Sequence, residues 1–472
     1  MPLESLPNEI LAEIIQKLME EHYSNVCSRH LYKSSISSLY RDVIITGPEM
    51  LDLFIKTIAN RWELAILVYS LDLTYFDDHH GPYDRDTERI CYFVEPVDHT
   101  DEHVPPYVLI RIIWDMWGYI DCKHRDTACL GPKKPWHDCL LEAMIYSKKK
   151  KKSFWHLTAL SLSLLPGLEK ISFPSFAAPQ ARLDFRSFCY AALVASQPET
   201  RNGLSKGPMS ALHNLTLEGS YESGSIQIFL QLSMLQTLTL RFLTIPRRPS
   251  RPNRSNYAKF MENWTLLRLN ITATNISSRY LIPFLKSLNV LETLHFDAHP
   301  WQLYGEEDEY NIDFGKIIEG LSHLKHTLRD LRVILGTHAQ RSSDFSVLRD
   351  FSALTVLEIS VWTFLPATNV AMSPILGSAL NRVFPHKLHS LKLNCKGTAV
   401  CSLKSMIQPM KRLVEEMKEG TTSLKELHLK YFPGHDSHSF ASHTECGLYQ
   451  RHPFLAELSA ECQENGITLK VL

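Results

Sequence analysis

Apolar residues along this chain recur with two different periods. Near the start, Ile10, Leu11, Ile14, Ile15 and Leu18 fall on one helical face. Pro7 suits the first turn of that helix, where its missing N–H is no loss. Glu4 and Glu9 suit the positive end of the helix dipole. Val26 to Leu39 predicts a second helix, with Leu31, Ile36 and Leu39 apolar. "RDVIIT" (41–46) is β-branched and predicts a strand, stopped by Gly47-Pro48. "PEMLDLFIKTIANRWELAILV" then predicts one helix with Pro48 at its start, and "SLDLTYF" (70–76) a second strand.

From there the period shortens to two, inside a recurring L-x-L motif that usually has another leucine three residues earlier. The pairs are Leu71/Leu73, Ile171/Phe173, Leu215/Leu217, Leu238/Leu240, Leu269/Ile271, Leu294/Phe296, Leu331/Val333, Leu357/Ile359, Leu391/Leu393 and Leu427/Leu429. "ITLKVL" closes the chain as a last strand. Helical stretches such as "IQIFLQLSM" and "SRYLIPFLKSLNV" lie between many of them. The spacing drifts from about 23 to about 44 residues, wider than the roughly 20–29 of regular leucine-rich repeats. A strand and a helix of this size cannot bury their apolar sides alone, so stacking of successive units is expected. The fold predicted is α/β, an irregular leucine-rich-repeat solenoid with parallel strands and helices on the convex side. A doubly wound α/β domain alternates strand and helix in a similar way, but no glycine fingerprint follows the first strand.

Two insertions interrupt this pattern, at about 77–135 and 246–257, the first acidic and proline-bearing, the second basic and proline-rich. The organisation expected is a small helical unit at 2–45, then the solenoid over 46–472. With 472 residues, 44% hydrophobic and 21% charged, the chain has ordinary globular composition. Its formal net charge of −1 gives no global field toward nucleic acid or an anionic membrane. Ten cysteines without a regular framework point to free thiols in a reducing compartment. The N-terminus has no signal-peptide pattern, and the most apolar window is interrupted by Glu63 and Asp72. The expectation is a cytoplasmic or nuclear protein.

The chemistry-bearing clusters are weak. Cys122, His124, Cys129, His137 and Cys139 are zinc-ligand types, but their spacing matches no standard finger. His435, His438, His443 and Cys446 follow Pro433-Gly434 in a polar loop pattern. The run Lys148–Lys152 reads as a solvated stretch or a nuclear signal. No nucleophile elbow, phosphate loop or zinc-protease helix is present, so neither an enzyme nor a bound cofactor or metal is expected.

The first 45 residues resemble an F-box. The family pattern opens with Leu-Pro-x-Glu-Ile-Leu and carries a later Val-Cys-x-Arg. Here these are Leu6-Pro7-Asn8-Glu9-Ile10-Leu11 and Val26-Cys27-Ser28-Arg29, with Ile14 and Leu18 between. The segment from "SSLYRDVIIT" through "SLDL", and "LSLLPGLEKISFP", are similar to the F-box/leucine-rich-repeat proteins of filamentous fungi. The resemblance implies a non-catalytic substrate receptor of an SCF (Skp–cullin–F-box) ubiquitin ligase, serving ubiquitin-dependent protein degradation. Leu6, Pro7, Ile10, Leu11, Ile14 and Leu18 would contact the Skp adaptor, and through it cullin. An apolar stripe on so small a helical unit also asks for a cover, by the solenoid or by a partner. Only "MEEHYSN" separates Leu18 from Val26, where the family has a longer stretch. The alternative is a ubiquitin-independent protein-interaction scaffold with a degenerate F-box.

Strand side chains alternate, so the residues beside the leucines face the concave side and are the candidate contacts to a protein substrate. They are Thr216, Glu218, Thr239, Arg241, Asn270, Thr272, His295, Arg332, Glu358, Lys392, Asn394, His428 and Lys430. Charges of both signs and hydroxyls are mixed among them, so no single partner chemistry stands out.

Overall fold

The computed structural model describes residues 36–37, 39–74, 158, 161–162, 164–173, 209–218, 229–230, 232, 234–241, 266–272, 276, 278–298, 314–335, 346–360, 384–394, 410–411, 414–415, 423–430 and 453–471. They belong to two compact units, Met1–Gln236 and Thr237–Leu472.

In the first unit the described chain enters as helix (residues 36–37 and 39–41) and turns into strand β1 (Asp42–Ile44). Helices α1 (Pro48–Asn60) and α2 (Trp62–Ala65) follow, then strands β2 (Ser70–Asp72), β3 (Lys170–Phe173) and β4 (Asn214–Glu218). The single helix expected over residues 48–68 is two. Leu51, Phe54, Ile55, Ile58 and Ala59 form the buried stripe of α1. An unbroken helix would bring Arg61 and Trp62 onto that stripe next, three and four residues after Ile58. Arg61 instead leaves helical geometry (φ −136°, ψ 71°), and its N–H donates to the Thr57 carbonyl at 2.9 Å. Trp62 stays exposed, and Leu64, Ala65 and Val68 are re-aimed into the core.

The four strands pair in parallel and in sequence order, β1 with β2, β2 with β3, β3 with β4. Ser70 pairs with Lys170 and Leu71 with Ile171, although a long insertion separates them. The turn before β3 comes so close to the turn after α2 that a Cβ on Gly167 would lie 3.0 Å from the Ile66 carbonyl oxygen. Phe173 packs on Phe229 with ring centroids 6.0 Å apart.

The second unit contains strands β5 (Thr237–Arg241), β6 (Arg268–Thr272), β7 (Thr293–Asp297), β8 (Asp330–Ile334), β9 (Val356–Ser360), β10 (Ser390–Asn394), β11 (Glu426–Lys430) and β12 (Thr468–Val471). Helices α3 (Ser278–Lys286), α4 (Phe314–Leu321) and α5 (Pro453–Glu464) lie between strands, as do 3-10 turns at Ser322–Leu324 and Ser346–Asp350. Each strand pairs in parallel with the next in the chain, through β12. A doubly wound sheet reverses strand order at a switch point. Neither unit does so, and the architecture is an α/β, solenoid-like stack of parallel strands.

Both residues of each L-x-L pair are turned inward, from Leu71 on β2 and Leu73 just after it to Leu427 and Leu429 on β11. The leucine three residues upstream supplies a third buried position, at Leu168, Leu212, Leu235, Leu266, Leu291, Leu328, Leu354, Leu388 and Leu424. Burying a leucine removes roughly 1.5–3 kcal/mol of apolar hydration, so each repeat carries its own share of the core. Backbone bonds extend the pairing beyond the side chains. The Glu292 carbonyl accepts from the N–H groups of both Arg329 (2.8 Å) and Asp330 (3.1 Å), and the Arg329 carbonyl from Thr355 and Val356. Thr355, His389 and Leu267 continue the arrangement in this unit, and Tyr69 and Glu169 repeat it in the first. At the C-terminus Gly466 (φ +70°) ends α5, and the Ile467 N–H returns to the Cys462 carbonyl at 2.8 Å.

Candidate functional site

With the leucines turned inward, the intervening residues of the second unit share the opposite face of the sheet. The register sets them in rows. Thr239, Asn270, His295, Arg332, Glu358, Lys392, His428 and Lys470 are successive Cα partners across β5 to β12. Neighbouring strands are about 4.8 Å apart, so adjacent members of this row are within side-chain reach. Beside it run Arg241, Thr272 and Asp297, and further along Ser360, Asn394 and Lys430. The opposite flank includes Asp330, Val356, Ser390 and Glu426.

The charges on this face are largely matched. Asn270 donates to the Thr239 hydroxyl at 3.3 Å. His295 Nε2 is 3.3 Å from Asp330. Arg332 reaches Asp297 at 3.7 Å and Glu358 at 3.8 Å. Lys430 Nζ spans β10 to contact both oxygens of Glu358 at 2.9 Å. Glu358 is only 4% exposed, so it needs this company, because a buried carboxylate without a cation is costly. On β11, Glu426 accepts from Lys470 at 3.0 Å and lies 3.0 Å from His428 Nε2. The Lys470 bond first, and then His428, hold its carboxyl well below the usual range, at about 2.

Lys392 differs from its neighbours. It lies between Glu358 and His428 in the register. Glu358 is engaged by Lys430 and Arg332, and His428 by Glu426. Among the described residues Lys392 has no carboxylate partner. Two residues earlier on the same strand and face, Ser390 is 4% exposed and its Oγ has no hydrogen-bond partner.

In the first unit, Thr216 pairs in register with Ser172, and Ser172 with Asp72. Asp72 is taken up locally, accepting from the Thr74 N–H (2.9 Å) and hydroxyl (2.7 Å). Glu218 ends the same strand. Arg41 and Lys170 each stand over the Tyr69 ring, at 5.3 and 5.0 Å from its centroid.

Eleven of the sequence-selected contact positions, Thr239 to Lys430, thus lie on one sheet face of the second unit, and Thr216 and Glu218 lie on β4 of the first. Several are more enclosed than a solvated surface row would be: Glu358, Asn394 and His428 are all under one-tenth exposed. Sequence reasoning missed Asp297, Asp330, Ser390, Glu426 and Lys470. The two-residue period could have found them, since each lies one step outside an inward-facing leucine or its equivalent. Leu6, Pro7, Ile10, Leu11, Ile14 and Leu18 lie outside the described residues, as do both His/Cys clusters and Lys148–Lys152. Among the described residues, no group of three His, Cys, Asp or Glu could hold a metal ion, and no helix is long and apolar enough to cross a membrane. No family model matches the chain, and no curated protein matches it in sequence.

Proposed function

We propose that this chain is a non-catalytic substrate-recognition subunit of an SCF-type ubiquitin ligase. In this reading the N-terminal unit binds the Skp adaptor and the repeat array binds a protein substrate. The observation that carries it is the in-register polar face of β5 to β12, a continuous strip of paired charges and hydroxyls built from one repeating inward leucine scaffold. Repeat stacks of this kind present extended surfaces suited to protein partners. The Leu6-Pro7-Asn8-Glu9-Ile10-Leu11 motif supplies the connection to the adaptor. The repeats would then be an F-box protein's leucine-rich solenoid, in the cytoplasm or nucleus, and the chemistry would belong to other subunits.

Co-expression of the full chain with a Skp adaptor tests this. A stable complex is expected on gel filtration, and Leu6→Ala with Ile10→Ala abolishes it while the thermal melt of the repeats is unchanged. Intact protein that fails to bind adaptor refutes the ligase assignment. The short "MEEHYSN" connection favours a second reading, a ubiquitin-independent interaction scaffold. That reading expects no adaptor complex and a partner bound through the sheet face alone.

A further inference from the structure

Exposed large apolar side chains are concentrated in the first repeat. Of the seven among the described residues, five fall within one short stretch: Ile44, Met50, Leu53, Trp62 and Ile66. Met50 and Leu53 are three apart on α1, so they neighbour one another on its surface. They form a shoulder beside the buried stripe of Leu51, Phe54 and Ile58. The Thr46 hydroxyl donates to the Met50 sulfur at 3.1 Å and ties this shoulder to the exit of β1, where Ile44 is exposed. Among the described residues β1 pairs with β2 alone, so this is the free end of the strand array in the first unit. The last repeat is finished differently. The exposed residues of α5 include Ala456, Ser459, Ala460 and Gln463, and none of the exposed large apolar residues lies on α5 or β12. Stacked repeats need terminal caps with a polar outer face. Among the described residues the C-terminal repeat has such a face, and α1 of the first repeat does not.

We propose that residues 1–35 are the cap of this end, docking an apolar face that includes Ile15 on the shoulder of Met50 and Leu53. These residues are joined to β1 through the helical turn at 39–41, so the contact is intramolecular and gains the effective concentration of a short tether. Their sequence carries Ile10, Leu11, Ile14, Ile15 and Leu18, which span roughly 140° of a helix with 3.6 residues per turn, wider than a core-facing stripe of about 100°. A helical unit of this size cannot bury such a face within itself. Two apolar faces in need of cover are thus tethered within reach of each other, at the end of the array that needs a cap. The inference does not rest on the receptor reading. The adaptor contacts are assigned to Leu6, Pro7, Ile10, Leu11, Ile14 and Leu18, and Ile15 lies at the edge of the stripe farthest from Ile10.

Peroxide oxidation of the full-length protein without adaptor, read at each methionine by peptide mass spectrometry, tests this with an internal standard. Met50 and Met234 are 45% and 44% exposed, so without a cap they oxidise at similar rates. With the cap in place Met50 oxidises roughly fivefold more slowly than Met234, because sulfoxide formation needs access to the sulfur. Ile15→Asp puts a charge into the docking face and brings Met50 to the rate of Met234. Leu53→Glu, at a position 61% exposed, releases the cap from the other side, and amide exchange across residues 8–20 accelerates roughly tenfold. Val290→Glu, at an exposed apolar position of the second unit, leaves both readouts unchanged. Equal oxidation of the two methionines in the unmodified protein overturns the inference, and so does Met50 protection that Ile15→Asp fails to relieve. Protection that grows with protein concentration assigns the shoulder to a second copy of the chain and overturns it too. An adaptor complex formed by a chain whose Met50 is unprotected overturns this inference alone. Met50 protection in a chain that binds no adaptor overturns the receptor reading alone.

Discussion

Glu358 and Lys430 lie 72 residues apart in sequence and meet across an intervening strand, so their coupling measures how firmly the sheet face is assembled. Glu358 is 4% exposed and receives two 2.9 Å contacts from Lys430, with Arg332 more distant at 3.8 Å. Breaking a fully buried pair costs about 3–5 kcal/mol. Lys430 and Arg332 retain access to solvent, with side chains 23% and 34% exposed, and hydration offsets part of that. Glu358→Ala is therefore expected to cost about 2–3 kcal/mol, below the cost of breaking a fully buried pair. Lys430→Ala strands the more deeply buried partner, with Arg332 as its remaining counter-charge, and is expected to cost a similar amount, about 2–3 kcal/mol. Once one partner is gone, removal of the other relieves an unpaired charge, so the double variant is less destabilised than the sum. The coupling works out at about 1.5–2.5 kcal/mol, within the span seen for residues in one ion-pair network. Urea unfolding of the four proteins by circular dichroism gives each ΔG, provided the m-values agree. A coupling below about 0.5 kcal/mol would place the pair with ordinary surface salt bridges and refute the reasoning.

Leu331→Ala removes a fully buried side chain and is expected to cost about 2–5 kcal/mol. Because repeat stability is carried by neighbouring interfaces, amide exchange should accelerate in β7 to β9 before β12, and a uniform change would contradict the stacked organisation. Glu426 has a folded pKa of about 2 against an ordinary value of 4.5, so its stabilising contribution is complete above about pH 4.5 and disappears as the pH falls toward 2. Glu426→Gln should flatten the stability profile in that window, as read by urea midpoints at each pH. Burial, reinforced by Glu461, pushes the Cys462 thiol up to about 11, so iodoacetamide should label it far more slowly in native than in unfolded protein, by peptide mass spectrometry. Gly167→Ala should destabilise the first unit by about 1–2 kcal/mol in thermal melts, because its methyl meets the Ile66 carbonyl and the backbone has to shift.

The repeating strands were legible because burial imposes a period of two on any half-buried strand, and the inward positions from Leu71 to Leu429 follow it closely. The upstream leucine breaks that period, three residues before the first inward position, and was legible from its recurrence in the motif: it lies just before each strand. The break at Arg61 was not, since it depends on which face two large polar or aromatic residues would have met in an unbroken helix. The sheet-face positions could be selected one by one, but not their partnerships. Lys430 with Glu358 is a diagonal contact across a strand, fixed by register and side-chain length, and nothing in the spacing of "LEIS" and "LHLK" announces it. The isolation of Lys392 follows from that diagonal and was equally hidden.

The pairing of β2 with β3 has a consequence for how such a chain can change over generations. Ser70 and Lys170 meet in the same register that unites strands with far shorter connections. Whatever is added between two strands is spliced outside the ladder, so its length leaves the indexing of every later repeat untouched. Insertions and deletions there are frame-preserving at the level of the fold. Connections can drift freely in length and composition while the sheet face keeps its alignment, and a new partner can be acquired by altering a few outward side chains.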